Sequence, residues 1–156
     1  MLRLSKLTDY ATVILNFLAL EPTRVASATT VAEHVHLTVP TVSKVLKILL
    51  EAGLVASFRG AEGGYRLARP ARDITVAEIV SAIEGEFAIT ECCTPAKSCA
   101  IDSLCAVKEN WRVINRMIFT ALASLTLRDM TQPLSAHPLV LRGIPIKTEG
   151  AKKHGK

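Results

Sequence analysis

The stretch Thr38 to Ala68 constrains the fold most, because it places an amphipathic helix directly before a glycine-rich hairpin. Thr38 can cap the helix, Pro40 suits its first turn, and Gly53 suits a left-handed stop at its end. Two short apolar runs then flank the loop RGAEGG, a pattern that predicts two antiparallel strands. We therefore expect a mostly α-helical chain with a small β-hairpin.

The predicted helix after Thr38 is apolar on one side and polar on the other. Helical spacing places Val42, Val45, Leu46 and Leu49 on the inner side. The outer side carries Pro40, Lys44, Lys47 and Glu51, with Thr41 and Ser43 at its flanks. A brief helix with capping-box spacing, starting at Thr30, precedes it across a tight turn. Two such helices are typical of a helix-turn-helix unit that binds nucleic acid.

The hairpin that follows has the features of a wing. We expect strands over Leu54–Phe58 and Tyr65–Ala68, joined by the loop Arg59–Gly64. Arg59 stands beside glycines that allow close approach of the backbone, which suits insertion of an arginine into a narrow minor groove.

Three further helices are expected. Thr8 can cap a first helix, with Asp9 in its first turn, and Thr75 opens a helix that stops at Gly85. A long helix from about Ala106 carries one apolar stripe that has little in its own chain to cover it, so a second subunit is the expected cover. That stripe consists of Trp111, Ile114, Ile118, Leu122 and Leu125.

The charge is unevenly distributed. The formal net charge is +5, but residues 131–156 hold five Lys and Arg against one Glu, so residues 1–130 are nearly neutral. Within Thr38 to Arg72 the basic residues are Lys44, Lys47, Arg59, Arg66, Arg69 and Arg72, against two Glu. This segment is the candidate face for an anionic partner.

Length and composition exclude several classes of protein. A chain of 156 residues that is 49% hydrophobic suits one compact domain. The longest uncharged apolar run, Ala11–Leu20, is about half a membrane span, and the start of the chain does not resemble a signal peptide. We expect a soluble cytoplasmic protein without a membrane partner. The sequence contains no catalytic constellation, so we expect neither an enzyme nor a small-molecule substrate.

All four cysteines lie in the stretch ECCTPAKSCAIDSLC, as Cys92, Cys93, Cys99 and Cys105. In a reducing cytosol such a cluster is more often metal-binding or redox-active than a disulfide scaffold. Taken from either Cys92 or Cys93, the gaps are wider than those of zinc knuckles and unlike those of ferredoxins. This spacing favours an iron–sulfur cluster, with zinc, a redox disulfide or incidental buried thiols as alternatives.

Several stretches together resemble the IscR/NsrR type of bacterial winged-helix regulators, over about residues 1–130. They are LRLSKLTDYA, TVPTVSKVLKILLEAGLV, SFRGAEGGYRLARP, ITVAEIVSAIEG and the cysteine loop before ENW. Within that family the LSKLTDY opening and the approach to the cysteines look most like the regulators of the SUF iron–sulfur assembly operon.

The resemblance implies a homodimer that binds a roughly palindromic double-stranded operator DNA, with the third helix in the major groove and the wing in the minor groove. The implied helix contacts are Thr38, Thr41, Ser43, Lys44 and Lys47, and the implied wing contact is Arg59.

The resemblance also implies a [2Fe-2S] or [4Fe-4S] cluster held by Cys99, Cys105 and one of Cys92 or Cys93. In the IscR type a histidine completes the site where this chain has Lys108. In the NsrR type an aspartate of the partner subunit does so, at the place of Asp9. Asp9 is thus the candidate fourth ligand, with a simple helix-start charge as the alternative.

The implied organisation has four parts. Residues 1–85 form a winged helix-turn-helix DNA-binding domain, 86–105 a cysteine-rich cluster-binding loop, 106–130 a dimerisation helix and 131–156 a flexible basic tail. The expected function is a cluster-sensing transcriptional repressor of iron–sulfur assembly genes. The alternatives are a nitric-oxide- or redox-sensing repressor of the same family, and an iron–sulfur or thiol redox protein without specific DNA binding.

Overall fold

The computed structural model describes residues 3–60, 62–94, 99, 101 and 104–138, which form six α-helices and one antiparallel hairpin. The predicted class, mostly α with a small β-hairpin, is confirmed. The elements are α1 Lys6–Leu20, α2 Ala28–Val35, α3 Val39–Glu51, β1 Val55–Phe58, β2 Gly64–Leu67, α4 Val76–Glu84, α5 Lys108–Ala123 and α6 Leu127–Met130. Short 3-10 turns occur at Ala71–Asp73, Glu91–Cys93 and Leu134–Ala136. Over the part of the chain that is described, no helix has the length and apolar character needed to cross a membrane.

The helix α1 lies at the centre of the core, where it packs against α2, α3, α4 and α6. Its Ile14 and Leu15 are fully buried, and burial of one such side chain stabilises the fold by about 1.5–3 kcal/mol. The other large side chains that are fully buried include Leu46, Leu49, Leu54, Ile74, Ile79 and Leu127. The apolar face predicted for α3 therefore faces this core.

Two predicted helix caps were wrong by the same margin. The cap of α1 is Ser5 rather than Thr8, because the Ser5 hydroxyl accepts the Thr8 N–H. The cap of α2 is Ser27 rather than Thr30, because the Ser27 hydroxyl accepts the Thr30 N–H at 3.1 Å. In both helices the threonine occupies the third helical position, where its own N–H is one of the donors that a cap satisfies.

The start and end of α3 agree with prediction in position. Thr38 occupies the cap position, but its hydroxyl lies 2.8 Å from the Thr41 hydroxyl and makes no capping bond to the backbone. His36 takes a left-handed conformation, with φ of 55°, in the turn between α2 and α3. Gly53 takes the left-handed conformation predicted for it just beyond α3, with φ of 69°.

The hairpin is fixed to the start of α2. β1 begins one residue later than the predicted Leu54–Phe58, and β2 both begins and ends one residue earlier than the predicted Tyr65–Ala68. Phe58 pairs with Gly64 across the strands. Ala26 and Tyr65 exchange two backbone hydrogen bonds, of 2.9 and 2.8 Å. A Cβ atom on Gly64 would collide with the Ala26 carbonyl group, so glycine is required for this close approach. The wing and the helix-turn-helix are thus one connected unit.

The predicted capping box of α4 is confirmed. The Thr75 hydroxyl accepts the Glu78 N–H, and the Glu78 carboxylate accepts the Thr75 N–H at 2.7 Å. Gly85, with φ of 83°, ends the helix as predicted. The cysteine segment therefore leaves the core after Gly85.

The helix α5 begins at Lys108 rather than at about Ala106, and Leu125 lies beyond its end. The short helix α6 was missed by prediction, although Thr126 and Asp129 form a capping box. Hydrogen bonds from the Thr126 hydroxyl and N–H hold the pKa of Asp129 below its ordinary value. Leu127, which is fully buried, returns the chain to the core after α5. Most of the predicted tail, residues 139–156, lies outside the described residues.

Candidate DNA interface and cysteine pocket

The outer face of α3 carries the polar residues predicted for it. Ser43, Lys44 and Lys47 are exposed, Thr38 is exposed at the cap, and Thr41 is half-buried beside it. Among the described residues, neither lysine forms a hydrogen bond or an ion pair. This face therefore offers two unneutralised cations and several short hydroxyl side chains to a partner.

The wing adds two more cations near α3. Arg59 is exposed where β1 ends, next to Gly60, whose φ is 115°. The Arg66 guanidinium lies over the Phe58 ring, with its Cζ atom 4.6 Å from the ring centroid. Neither arginine has a carboxylate partner within the described part of the chain.

The remaining two arginines of the predicted basic segment have structural partners instead. Arg69 donates to the Glu78 carboxylate at 2.8 Å and to the Asp73 carbonyl at 3.0 Å. Arg72 lies 3.8 Å from the Asp73 carboxylate. Burial alone would raise the pKa of Glu78, but hydrogen bonds from Thr75 and Arg69 hold that pKa below its ordinary value. The expectation of one basic face made by all six residues is therefore corrected. Four of the six cations are available to a partner, and the other two form contacts that stabilise the fold.

Cys92 and Cys93 lie on a short helical turn, and the sulfur atoms of both contact the side chain of Thr90. The Thr90 hydroxyl is 3.1 Å from the Cys92 Sγ and 3.2 Å from the Cys93 Sγ. Both cysteines line a cavity of about 390 Å³ against α5. The other lining residues are Thr94, Arg112, Asn115, Arg116 and Phe119.

Polar side chains of α5 hold the cysteine segment in place. Asn115 accepts the Ile89 N–H at 3.0 Å through Oδ1 and donates to the Phe87 carbonyl at 3.3 Å through Nδ2. Arg112 donates to the Cys92 carbonyl at 3.3 Å. The sequence analysis did not identify Asn115 or Arg112 as functional residues. The signal that could have indicated them is the presence of an amide and a guanidinium side chain beside the apolar stripe of α5.

The donor chemistry of the cysteine segment fits a soft metal group. All four cysteines are free and half-buried, and iron–sulfur clusters are held by thiolates of this kind. Among the described residues, no three His, Cys, Asp or Glu side chains converge as metal ligands. The structure brings Cys92 and Cys93 together and does not bring Cys99, Cys105 or Asp9 to them. Residues 95–98, 100, 102 and 103 of this segment lie outside the described residues.

Asp9 is exposed in the first turn of α1, and within the described chain its carboxylate has no hydrogen bond or ion pair. The same turn is tied to the end of α4, where Glu84 accepts hydrogen bonds from the Ser5 N–H, at 2.8 Å, and from the Thr8 hydroxyl. Lys108 stands at the start of α5, and its N–H lies 3.4 Å from the Cys105 carbonyl oxygen.

The chain matches a known protein family over most of its length. Residues 4–133 match the Rrf2 family, described as iron-dependent transcriptional regulators. The chain belongs to the Rrf2 family. It is therefore a transcriptional regulator of a DNA-binding class, and the predicted winged-helix regulator family is confirmed.

Individual relatives agree with this Rrf2 assignment. The HTH-type transcriptional regulator NsrR of Bacillus subtilis is 34% identical over 136 residues, which cover 84% of this chain and 91% of the relative. The structure of CymR, the global cysteine regulator of B. subtilis, matches with a TM-score of 0.68 and 30% identity, covering 84% of this chain and 97% of CymR. The IscR of T. potens matches with a TM-score of 0.63 and 32% identity, covering 83% and 85% of the two chains.

These relatives are regulators of transcription and not enzymes, as the sequence predicts for this Rrf2 protein. One of them is named a global cysteine regulator. Membership of the Rrf2 family therefore fixes the fold and the regulator class, but not the signal to which the protein responds. The closer likeness to SUF operon regulators stays a prediction.

Proposed function

We propose that this Rrf2 protein is a homodimeric repressor that binds double-stranded operator DNA and senses an iron–sulfur cluster. The observation that carries the DNA-binding part is the group of four cations on α3 and the wing, none of which has a carboxylate partner among the described residues. Two backbone hydrogen bonds between Ala26 and Tyr65 fix the wing to the segment before α2, and α3 packs directly against β1. Both elements can therefore meet one duplex at a fixed separation.

The helix α3 is the proposed major-groove element. Lysines suit phosphates and guanine edges, and hydroxyl side chains serve either bases or phosphates. We assign this role to Thr38, Thr41, Ser43, Lys44 and Lys47. Arg59 at the wing is assigned to the adjacent minor groove, where a narrow width favours an inserted arginine.

The cysteine segment is the proposed sensor. Cys99, Cys105 and one of Cys92 or Cys93 would hold a [2Fe-2S] or [4Fe-4S] cluster through thiolates, and Asp9 of the partner subunit would be the fourth ligand. When bound, the cluster supplies a centre that responds to oxidants, nitric oxide and iron supply. The soft donor set and the cavity at Cys92 and Cys93 support this assignment.

The contacts of the sensor segment support a connection to the DNA-binding unit. Arg112 and Asn115 hold this segment to α5, and Gly85 joins it to α4. A change in the ligands of the cysteines would alter these contacts and shift the population of dimers competent for DNA. Such a shift requires that the two ligand states interact differently with two conformations.

We propose that the four segments of the chain have separate functions. We assign residues 1–85 to DNA binding, 86–105 to the cluster, 106–130 to dimerisation and 131–156 to a basic tail. The target genes proposed from the resemblance are those of iron–sulfur assembly.

The test is a gel shift of anaerobically prepared protein on its own promoter region, with and without reconstituted cluster. We expect specific binding whose affinity differs between the two forms and falls steeply with salt. Protein that binds neither iron nor sulfide after reconstitution would contradict the sensor, and binding that is equal on scrambled DNA would contradict the operator.

A nitric-oxide-sensing repressor of the same family is the second candidate. It is favoured by the 34% identity to NsrR of B. subtilis and by Asp9, which stands where the resemblance to the NsrR type implies an aspartate ligand. Exposure of the reconstituted protein to a nitric oxide donor should then release the operator at equimolar amounts. Retention of the operator, with release by iron depletion alone, would favour the iron–sulfur assembly regulator.

A further inference from the structure

The outer face of the wing holds an arginine in a fixed position. Val55 and Leu67 point into the core, so the alternation along the strands places Phe58 and Arg66 together on the opposite face. Phe58 pairs with Gly64, which has no side chain, and Arg66 is two residues further along the same strand. The guanidinium therefore extends along the strand toward the loop and covers the Phe58 ring at 4.6 Å.

The charge of Arg66 is not used by the fold. Arg69 and Arg72, its neighbours along the chain, are held by Glu78 and Asp73. Arg66 has no carboxylate partner in the described part of the chain, and its ring contact leaves its positive charge in place. A stacked arginine without an ion pair is therefore available to an anion.

The position of Arg66 is also rigid before any partner binds. Tyr65, the preceding residue, exchanges two backbone hydrogen bonds with Ala26. The Phe58 ring restricts the side chain itself, so less conformational freedom is lost on binding. The wing thus presents a pre-oriented guanidinium beside Arg59.

We propose that Phe58 positions Arg66 as a second cationic anchor of the wing, which contacts a phosphate of the operator backbone. Arg59 follows Phe58 into the loop, whereas Arg66 lies on the strand behind it. When the loop enters a groove, the strand behind it meets the phosphates that border the groove. The inference rests on the DNA-binding role proposed above and adds Phe58 and Arg66 to it.

The experiment measures binding of the full chain to an operator duplex and to a scrambled duplex by fluorescence anisotropy, over a series of salt concentrations. The variants are Arg66→Ala, Arg66→Lys and Phe58→Leu, with Arg72→Ala as the control because Arg72 has the Asp73 carboxylate as its partner. Thermal unfolding of each variant checks the fold, which should survive because Phe58 is 38% exposed.

We expect Arg66→Ala to weaken binding to both duplexes by a similar factor, about three- to tenfold, and to reduce the slope of log K against log salt by about one. Arg66→Lys and Phe58→Leu keep the charge, so each should keep the slope and lose part of the affinity. Arg72→Ala should match the wild type in both quantities.

The outcomes separate the two levels of the proposal. Wild-type protein that shows no salt-dependent DNA binding would contradict the proposed function itself. Normal wild-type binding with an unchanged affinity and slope in Arg66→Ala would overturn the anchor alone. Loss of affinity for the operator but not for the scrambled duplex would show that Arg66 contacts bases, which overturns the phosphate assignment. If Phe58→Leu unfolds, the comparison of Arg66→Ala with Arg66→Lys still decides the role of the charge.

Discussion

The Glu84 carboxylate accepts a hydrogen bond from the buried Thr8 hydroxyl and thereby joins the last turn of α4 to the first turn of α1. The same carboxylate oxygen accepts the Ser5 N–H at 2.8 Å. Asp9 follows Thr8 in the chain, and Gly85 opens the cysteine segment. One side chain therefore joins the turn of α1 that carries Asp9 to the start of the cysteine segment of the same chain.

Removal of this link by Glu84→Ala should lower the free energy of unfolding by about 1 kcal/mol at pH 7, because hydrogen bonds to a charged but exposed group are partly screened. Hydrogen bonds from the Thr8 hydroxyl and from Ser5 hold the pKa of Glu84 below its ordinary value of 4.5. The contribution is therefore complete above about pH 4.5 and is lost as the pH falls through the lower folded-state pKa. Urea unfolding at a series of pH values measures it.

Glu84→Gln separates the charge from the hydrogen bonds, because the amide oxygen can still accept from Ser5 and Thr8. We expect its stability to depend less on pH than that of the wild type below about pH 4.5, the ordinary pKa of the carboxyl group. Glu33→Gln, at an exposed carboxylate of α2, is the control and should follow the wild type. A wild-type pH profile that matches Glu84→Gln would contradict the depressed pKa.

The pairing of Asn115 with the cysteine segment predicts a local effect. Asn115→Ala should free the Ile89 N–H and speed its hydrogen exchange about fivefold, which corresponds to one hydrogen bond of about 1 kcal/mol. Cys92 and Cys93 of the cluster-free protein should also react faster with a thiol reagent. Asn110→Ala, at an exposed position of the same helix, should change neither rate. Equal exchange in the two variants would argue against the link.

The helix starts show how far local sequence could predict the fold. Ser5 and Thr8, like Ser27 and Thr30, form a serine and a threonine three residues apart, and either hydroxyl can cap a helix. Contacts from distant residues decide between them. Glu84 binds the Ser5 N–H, and the bridge to Tyr65 keeps the chain extended until Ser27. Periodicity could not reveal such contacts, although it placed α3 and α4 correctly.

Some features of the candidate site could also be predicted from local sequence, whereas others depend on distant contacts. The outer face of α3 could be predicted because it depends only on helical spacing. The different roles of Arg66, which has no ion pair among the described residues, and Arg69, which pairs with Glu78, could not be predicted. They depend on the strand register and on a carboxylate in the capping box of α4. The cysteines were recognisable by type, but the Asn115 and Arg112 contacts require the packing of α5 against the preceding segment.

The close approach at Gly64 predicts a steric effect. Gly64→Ala should lower the free energy of unfolding by about 2–3 kcal/mol, because its Cβ would collide with the Ala26 backbone. Gly53→Ala is the control, since Gly53 is left-handed but has open space, and should cost about 1 kcal/mol. Chemical unfolding compares them. A Gly64→Ala variant that is no less stable than Gly53→Ala would show that the wing can move away from α2.

The apolar face of α5 predicts the oligomeric state. Val113, Ile114 and Met117, of which Ile114 belongs to the predicted stripe, are 50%, 40% and 66% exposed, whereas α1 and α3 each bury a row of apolar side chains. If a second copy covers this face, Met117→Glu places an unpaired charge at the interface and should convert dimers to monomers in light scattering at micromolar concentration. Operator affinity should fall as well, because each monomer contacts one half-site. Leu20→Glu is the matched control, since Leu20 is 64% exposed at the end of α1. It should remain dimeric, whereas a dimer that survives Met117→Glu would place the interface elsewhere.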